Sequence, residues 1–192
     1  MKFSVQIHAR GIDYPRFRQI YYSEQFNREI VTAVGLQERT TTEHLVARDG
    51  RERMRVRVVP RLALPAVIAR LLEGHVVSYE EVTIFDPATR RAALVIETPA
   101  GDVVQVRGQA CLHDEPNGVR MQFVGEAQVR FLGLGAMIER FLVDEVTRRY
   151  QMVERALQHY IDEGREMPAA PVGMTSASQV GLLTGVQTTK RA

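Results

Sequence analysis

Cysteine is almost missing from this 192-residue chain, and Cys111 stands alone. No internal disulfide can form, so the fold must hold through its core and needs no oxidising compartment. Lysine is nearly as scarce: Lys2 and Lys190 stand against 23 arginines, an imbalance that points to the codon usage of a GC-rich genome rather than to a site. No apolar run approaches the roughly 18 residues of a membrane span. The first ten residues alternate apolar and polar instead of forming the continuous apolar core of a secretory signal, so a cytoplasmic protein is expected. An excess of charge is also lacking. The net charge of +2 comes from beyond Gly164, where Arg165, Lys190 and Arg191 face Glu166, and the rest of the chain holds 22 basic and 22 acidic residues. A neutral body gives no footprint for nucleic acid.

Catalytic signatures are absent too. The five histidines, at 8, 44, 75, 113 and 159, form no His-x-x-x-His pair, and there is no Cys-x-x-Cys, so no metal site is expected. Without a Gly-x-Ser-x-Gly, phosphate loop or dinucleotide fingerprint, neither a nucleophile nor a cofactor is expected.

What the chain does have is period. Phe3, Val5, Ile7 and Ala9 share one face of a strand that Gly11 ends. Asp13 as N-cap with Pro15 in the first turn predicts a helix over 14–22. Ser23 caps a second helix over 24–34, and Gly35 stops it. The chain then reads as extended over 36–47, turns at Asp49-Gly50, and returns through Met54, Val56 and Val58 to Pro60. A short inserted helix is expected over 64–72. Strands over 75–85, 91–98, 103–112 and 119–131 follow in antiparallel succession, separated by Asp86-Pro87, Pro99-Ala100-Gly101 and Pro116-Asn117-Gly118. Last comes an apolar stripe from Leu134 to Ile161, a helix about 42 Å long at about 1.5 Å per residue. The fold class is α+β: a curved antiparallel sheet of about seven strands wrapped around a long C-terminal helix. One domain over 1–163 and a flexible tail over 164–192 are expected.

This order resembles the START-like (SRPBCC) superfamily of helix-grip proteins. Phe131-Leu-Gly-Leu-Gly-Ala-Met-Ile-Glu-Arg-Phe141 is similar to the Gly-x-x-Ile-Glu junction between last strand and long helix in an uncharacterised bacterial branch of that superfamily. Residues 60–72 are similar to the short helix inserted in the same branch. The resemblance covers about residues 1–163. It implies a cavity between sheet and terminal helix for a hydrophobic or amphipathic small molecule, lipid-like, polyketide-like or isoprenoid. The superfamily includes carriers, cyclases and simple binding proteins, and fold analogy does not choose among them.

Candidate ligand-binding residues follow from the strand phases. If the turn at 86–89 pairs Phe85 with Arg90, Tyr79 and Glu81 lie opposite Ile96 and Leu94 on the more apolar face, where they could fix the polar end of a guest; a register slip of one would turn both to solvent. Gly108 and Ala110 leave room on the inward face. A six-residue turn over 113–118, however, would pair Gly108 with Phe123, large against small, and close that room. Met54, Met121, Met137 and Phe141 are plausible walls, with Val56 and Phe123 beside them. His44 faces inward if its hairpin loop has odd length, and Glu43 if the turn has two residues. Arg51, Arg53, Arg55 and Arg57 read as protection of an exposed sheet edge. Three functions stay open: a noncatalytic carrier, a cyclase- or hydrolase-type enzyme using Tyr79 and Glu81, and a packed interaction module without a guest. No transmembrane segment is expected, and transient membrane contact is compatible with all three.

Overall fold

A computed structural model describes residues 1–61, 78–99 and 101–164 of the chain. The helix expected at 64–72, the start of the strand expected at 75–85 and the tail from 165 onward lie outside the described residues. Strand β1 (Lys2–Arg10) leads into helices α1 (Tyr14–Tyr21) and α2 (Glu24–Val34). Six strands follow: β2 (Leu36–Val46), β3 (Glu52–Pro60), β4 (Tyr79–Asp86), β5 (Arg91–Glu97), β6 (Val104–Glu115) and β7 (Gly118–Val129). Helix α3 (Gly135–Asp162) closes the fold. The seven strands form one antiparallel sheet in the order β1-β7-β6-β5-β4-β3-β2, so the first strand is recruited to the far side of the last.

The short helices start and stop where their caps dictate. Asp13 accepts from the Arg16 N–H at 2.9 Å, and Ser23 accepts from the Phe26 N–H at 3.0 Å while its hydroxyl donates to the Ile20 carbonyl at 2.8 Å. Gly35 ends α2 in the left-handed region, at φ 67°. The helices lay Phe17, Ile20, Phe26 and Ile30 on the concave side of the sheet, against Ile7, Val56, Val58 and Val119. Helix α3 packs along β1, β7 and α2, and adds Leu157 and Tyr160 to the same core.

Its entry is set by two residues of the local motif. A Cβ on Gly135 would meet the Val129 carbonyl at 2.5 Å, so only glycine allows the helix to start this close to the end of β7. One turn on, Glu139 Oε1 accepts from the Val129 N–H at 3.0 Å.

Three expectations about register are corrected. Asp86, not Phe85, closes the β4–β5 turn by pairing with Arg91, because the Asp86 carboxylate accepts from the Ala88 N–H and the Thr89 hydroxyl and Arg90 takes a left-handed φ of 55°. Ladder pairing of β6 with β7 runs on to Glu115 and Gly118, leaving Pro116-Asn117 as the loop, so Gly108 lies opposite Gly125 and Phe123 opposite Ala110. Both shifts are by two residues, so every side chain keeps its expected face. Finally, β3 is an interior strand between β2 and β4, and its arginines protect no edge. Arg53 and Arg55 of the strand are charge-matched, with Glu43 at 3.4 Å and with Glu97 at 2.7 Å and Glu80, and Arg51 in the preceding loop pairs with Asp49 at 2.8 Å.

Candidate functional site

Strand β2 decides which polar groups reach the concave face. Its register against β3 shifts between Leu36 and Glu38 and again between Thr41 and Glu43. Each bulge inserts one unpaired residue and changes which side chains point inward. As a result Arg39 lies opposite the buried Val58, Thr41, itself exposed, opposite the buried Val56, and His44 opposite Met54. The β2–β3 loop over 47–51 is the odd-length alternative, closed by the Ala47 N–H donating to the Arg51 carbonyl at 2.8 Å.

Arg39 organises the first of two polar clusters. Its Nη2 donates to Glu81 Oε2 at 3.0 Å, its Nη1 donates to Asn27 Oδ1, and Asn27 Nδ2 donates back to the Arg39 carbonyl at 3.3 Å. Around this ion pair stand three phenols from three elements: Tyr21 of α1, Tyr79 of β4 and Tyr150 of α3. Burial pushes the pKa of all three above the usual tyrosine value; the charge of Glu81 adds to the rise, and Arg39 opposes it. At neutral pH they are hydroxyl donors rather than bases. Tyr150 is fixed by stacking on Phe123, ring centroids 5.7 Å apart. Tyr21 stacks on Phe17 at 5.2 Å.

A second cluster rims an open recess of about 530 Å³ between α1 and strands β2 to β4. Arg18 Nη2 donates to Glu52 Oε1 at 2.6 Å, and the other carboxylate oxygen lies 3.5 Å from His44 Nε2. The Arg18 guanidinium lies 4.5 Å from the Phe85 ring centroid and 5.9 Å from that of Tyr22. Burial lifts the Tyr22 phenol to about 12, against the pull of Arg18. Met54, Thr83 and Phe85 form the floor, and Tyr14 and Tyr22 a wall. The arrangement offers an apolar surface bordered by one guanidinium, one carboxylate and one imidazole.

The residues picked from sequence fall into three groups. Tyr79, Glu81, Met54 and Val56 come together on adjacent strands: Val56 pairs with Glu81 and is fully buried, and Met54 borders the recess. Gly108, Ala110, Met121 and Phe123 lie on the inward face of β6 and β7, but the room above the glycine is taken. A Cβ on Gly108 would meet the Phe123 ring at 2.5 Å, and one on Gly125 the Phe3 ring at 2.6 Å. Met137 is 40% exposed on the outer side of α3, and Phe141 is half-buried one turn later. Arg39, Arg18, Glu52 and Tyr150 were missed as site residues. Tyr150 had a signal, a phenol on the apolar stripe of α3; Arg39 had none, since bulges leave no mark in the period of a strand. Among the described residues no group of three or more His, Cys, Asp or Glu side chains is arranged to hold a metal ion.

Comparison of the fold with solved structures gives relatives at low sequence identity. TTHA0849 from Thermus thermophilus matches with a TM-score of 0.58 at 12% identity, over 86% of this chain and 100% of that one. The Zhui aromatase/cyclase from Streptomyces sp. R1128 matches with a TM-score of 0.52 at 12% identity, over 85% of this chain and 93% of that one. The di-domain aromatase/cyclase StfQ of the steffimycin pathway matches at 0.56 and 11% identity, over 85% of this chain and 51% of that one. These likenesses, with the seven-stranded sheet and long closing helix, show the START-like helix-grip fold that the sequence resembles. No curated protein matches in sequence. The model of one family does match, over residues 11–161, most of the chain: the protein belongs to the family described as "Protein of unknown function (DUF2505)".

Proposed function

We propose that the protein binds an apolar or amphipathic small molecule on the concave face of its sheet. The observation that carries this reading is the open recess of about 530 Å³, with an aromatic and thioether floor and Arg18, Glu52 and His44 on its rim. A recess of that volume lies within the range of small-molecule pockets, about 300–1,000 Å³, and few convergent polar groups among apolar walls are their usual lining. Arg39 and Glu81, behind Met54 and Val56 on the same face, offer a polar end point for a guest that reaches further in. The chain uses its ion pairs and neutral phenols to orient the molecule; no step of chemistry is required.

Extraction of the purified protein with organic solvent followed by mass spectrometry tests this. A compound in stoichiometric amount is expected, retained in Glu81→Gln and reduced at least about tenfold in Met54→Trp, which fills the floor, since displacing one buried apolar contact surface costs a decade or more in affinity. Absence of any bound compound, together with no uptake of environment-sensitive fluorescent fatty acids, would support a solid interaction module. That outcome has its own motive in the Phe3 and Phe123 rings that fill the space over the two glycines.

A second reading has a specific motive too. Two of the structural relatives are named as aromatase/cyclases. Glu81 with the phenols of Tyr79 and Tyr150 would supply one carboxylate and two hydroxyl donors for proton transfer in such a reaction. Turnover of a polyketide-like substrate that disappears in Glu81→Gln while binding persists would favour it over the carrier.

A further inference from the structure

Large apolar side chains are exposed at one end of the molecule in a way the ligand reading does not use. Leu132 is 99% exposed, and Met1, Val103, Phe131 and Met137 are each 40–42% exposed. They come from four separate segments that the fold ties together. The Arg130 N–H donates to the Val103 carbonyl at 2.8 Å, and the Ala127 N–H donates to the Met1 carbonyl at 2.9 Å. Between β7 and α3 the Phe131 carbonyl accepts from the Leu134 and Gly135 N–H groups at 3.2 and 2.9 Å. This tight turn, with Gly133 at φ 77°, pushes Leu132 out as its tip. Met137 continues the patch one turn into α3.

The charges at this end carry an excess of cations: the Met1 amino group, Lys2, Arg107, Arg130 and Arg140 stand with Asp102, Glu126 and Glu139. Lys2, Arg130 and Arg140 are exposed and make no ion pair among the described residues. Of the neighbouring acids, Glu139 is tied to the Val129 N–H and the Met1 amino group, Glu126, opposite Lys2 in the ladder, pairs with Arg107 at 3.6 Å, and Asp102 keeps its charge while accepting from Gln105 Nε2. An exposed apolar tip with three cations that make no ion pair among the described residues matches an anionic lipid surface. Leu132, Phe131 and Met137 would enter the acyl boundary, and the arginines would meet the headgroup phosphates. We propose that this end of the molecule docks on anionic membranes by shallow insertion of Leu132 and its neighbours. The attachment is peripheral, since no described helix is long and apolar enough to cross a membrane. It stands apart from the recess, which lies between α1 and the opposite ends of β3 and β4.

Co-sedimentation with vesicles is the test. The full chain is expected to pellet with a phosphatidylcholine–phosphatidylglycerol mixture, much less with phosphatidylcholine alone, and progressively less as salt is raised. Leu132→Asp should weaken binding at least about tenfold, the worth of burying one leucine side chain. Its Tm should stay at the wild-type value, because Leu132 touches no core residue. Arg130→Glu with Arg140→Glu should remove the preference for anionic lipid. Equal binding by Leu132→Asp and wild type, or failure of the wild type to pellet with anionic vesicles, would overturn the proposal. So would concentration-dependent self-association that Leu132→Asp abolishes, which would make the tip a contact between copies. Ligand extraction is a separate measurement, so either proposal can fail alone.

Discussion

The two halves of α3 are held by different physics. Toward its C-terminus, Leu157 and Tyr160 are buried against Ile7, Phe17 and Phe26, with the Tyr160 and Phe26 rings edge to face at 5.7 Å. Toward its N-terminus no residue from Gly135 to Leu142 is fully buried, and position is fixed instead by the close approach of Gly135 to Val129 and the hydrogen bond from the Val129 N–H to Glu139. Burial is non-directional and anchors whatever is greasy, whereas a steric fit and a directed hydrogen bond hold a backbone without using up its side chains. The first half of the helix can therefore carry apolar side chains that remain available to a lipid or a guest.

The largest test of this contrast is a pair of truncations. Leu157→Ala should cost about 2–5 kcal/mol in chemical denaturation, as for a fully enclosed leucine. Leu132→Ala should stay within about 0.5 kcal/mol of wild type. Comparable losses at both would show that the tip is packed after all. Next in size is Gly125→Ala, whose new methyl meets the Phe3 and Phe123 rings and should destabilise by about 1–3 kcal/mol. Phe3→Leu in the same chain should return part of that loss, and a double-mutant cycle measures the coupling. Removing the α2 cap by Ser23→Ala should cost about 1 kcal/mol at the packed end, read by the same denaturation.

The smallest effect is electrostatic. Arg148 and Arg149 hold the Glu145 carboxyl below its usual pKa in spite of its partial burial, and the Met1 amino group with the Val129 N–H does the same for Glu139. A depressed carboxylate stabilises the fold above its unfolded pKa, and the benefit disappears as pH falls through the lower folded value. Tm should therefore decline below about pH 4.5. Glu145→Gln should flatten that decline. An unchanged acid limb would remove Glu145 from the account.

Most of the element order was legible because it rests on short-range chemistry. Asp13, Ser23 and Gly35 mark helix ends by the hydrogen bonds or the φ they supply, and the alternation along β6 and β7 survives in the structure face by face. Register was legible only modulo two: the faces are fixed by burial, but the exact partner depends on how the Asp86 carboxylate folds its turn and how far the β6–β7 ladder runs. Nor could the sequence say that β4 would pair with the free side of β3, which made the arginines of β3 interior rather than marginal. Of the candidate site, Tyr79 and Glu81 were visible as side chains on an apolar face. Their partner Arg39 was not, since it reaches that face through an extra residue in the ladder.

The slack in β2 ties its inward chemistry to chain length. Gln37 and Thr42 have no ladder partner on β3, so losing either would leave a regular ladder with every pair kept and only the local bend removed, together with the 3.3 Å bond from the Thr42 hydroxyl to the Arg55 carbonyl in the second case. Loss of a paired residue is another matter. Deleting Thr40, with the strand anchored through Glu43 and His44 and the spare residue at Gln37 taken up, would draw Glu38 into the place of Arg39. A second carboxylate would then stand beside Glu81 where a guanidinium had been. A change of one codon in length, with every core side chain intact, would thus reverse the charge presented to a bound molecule, so insertions and deletions in this strand are the place to look when relatives of this chain differ in what they hold.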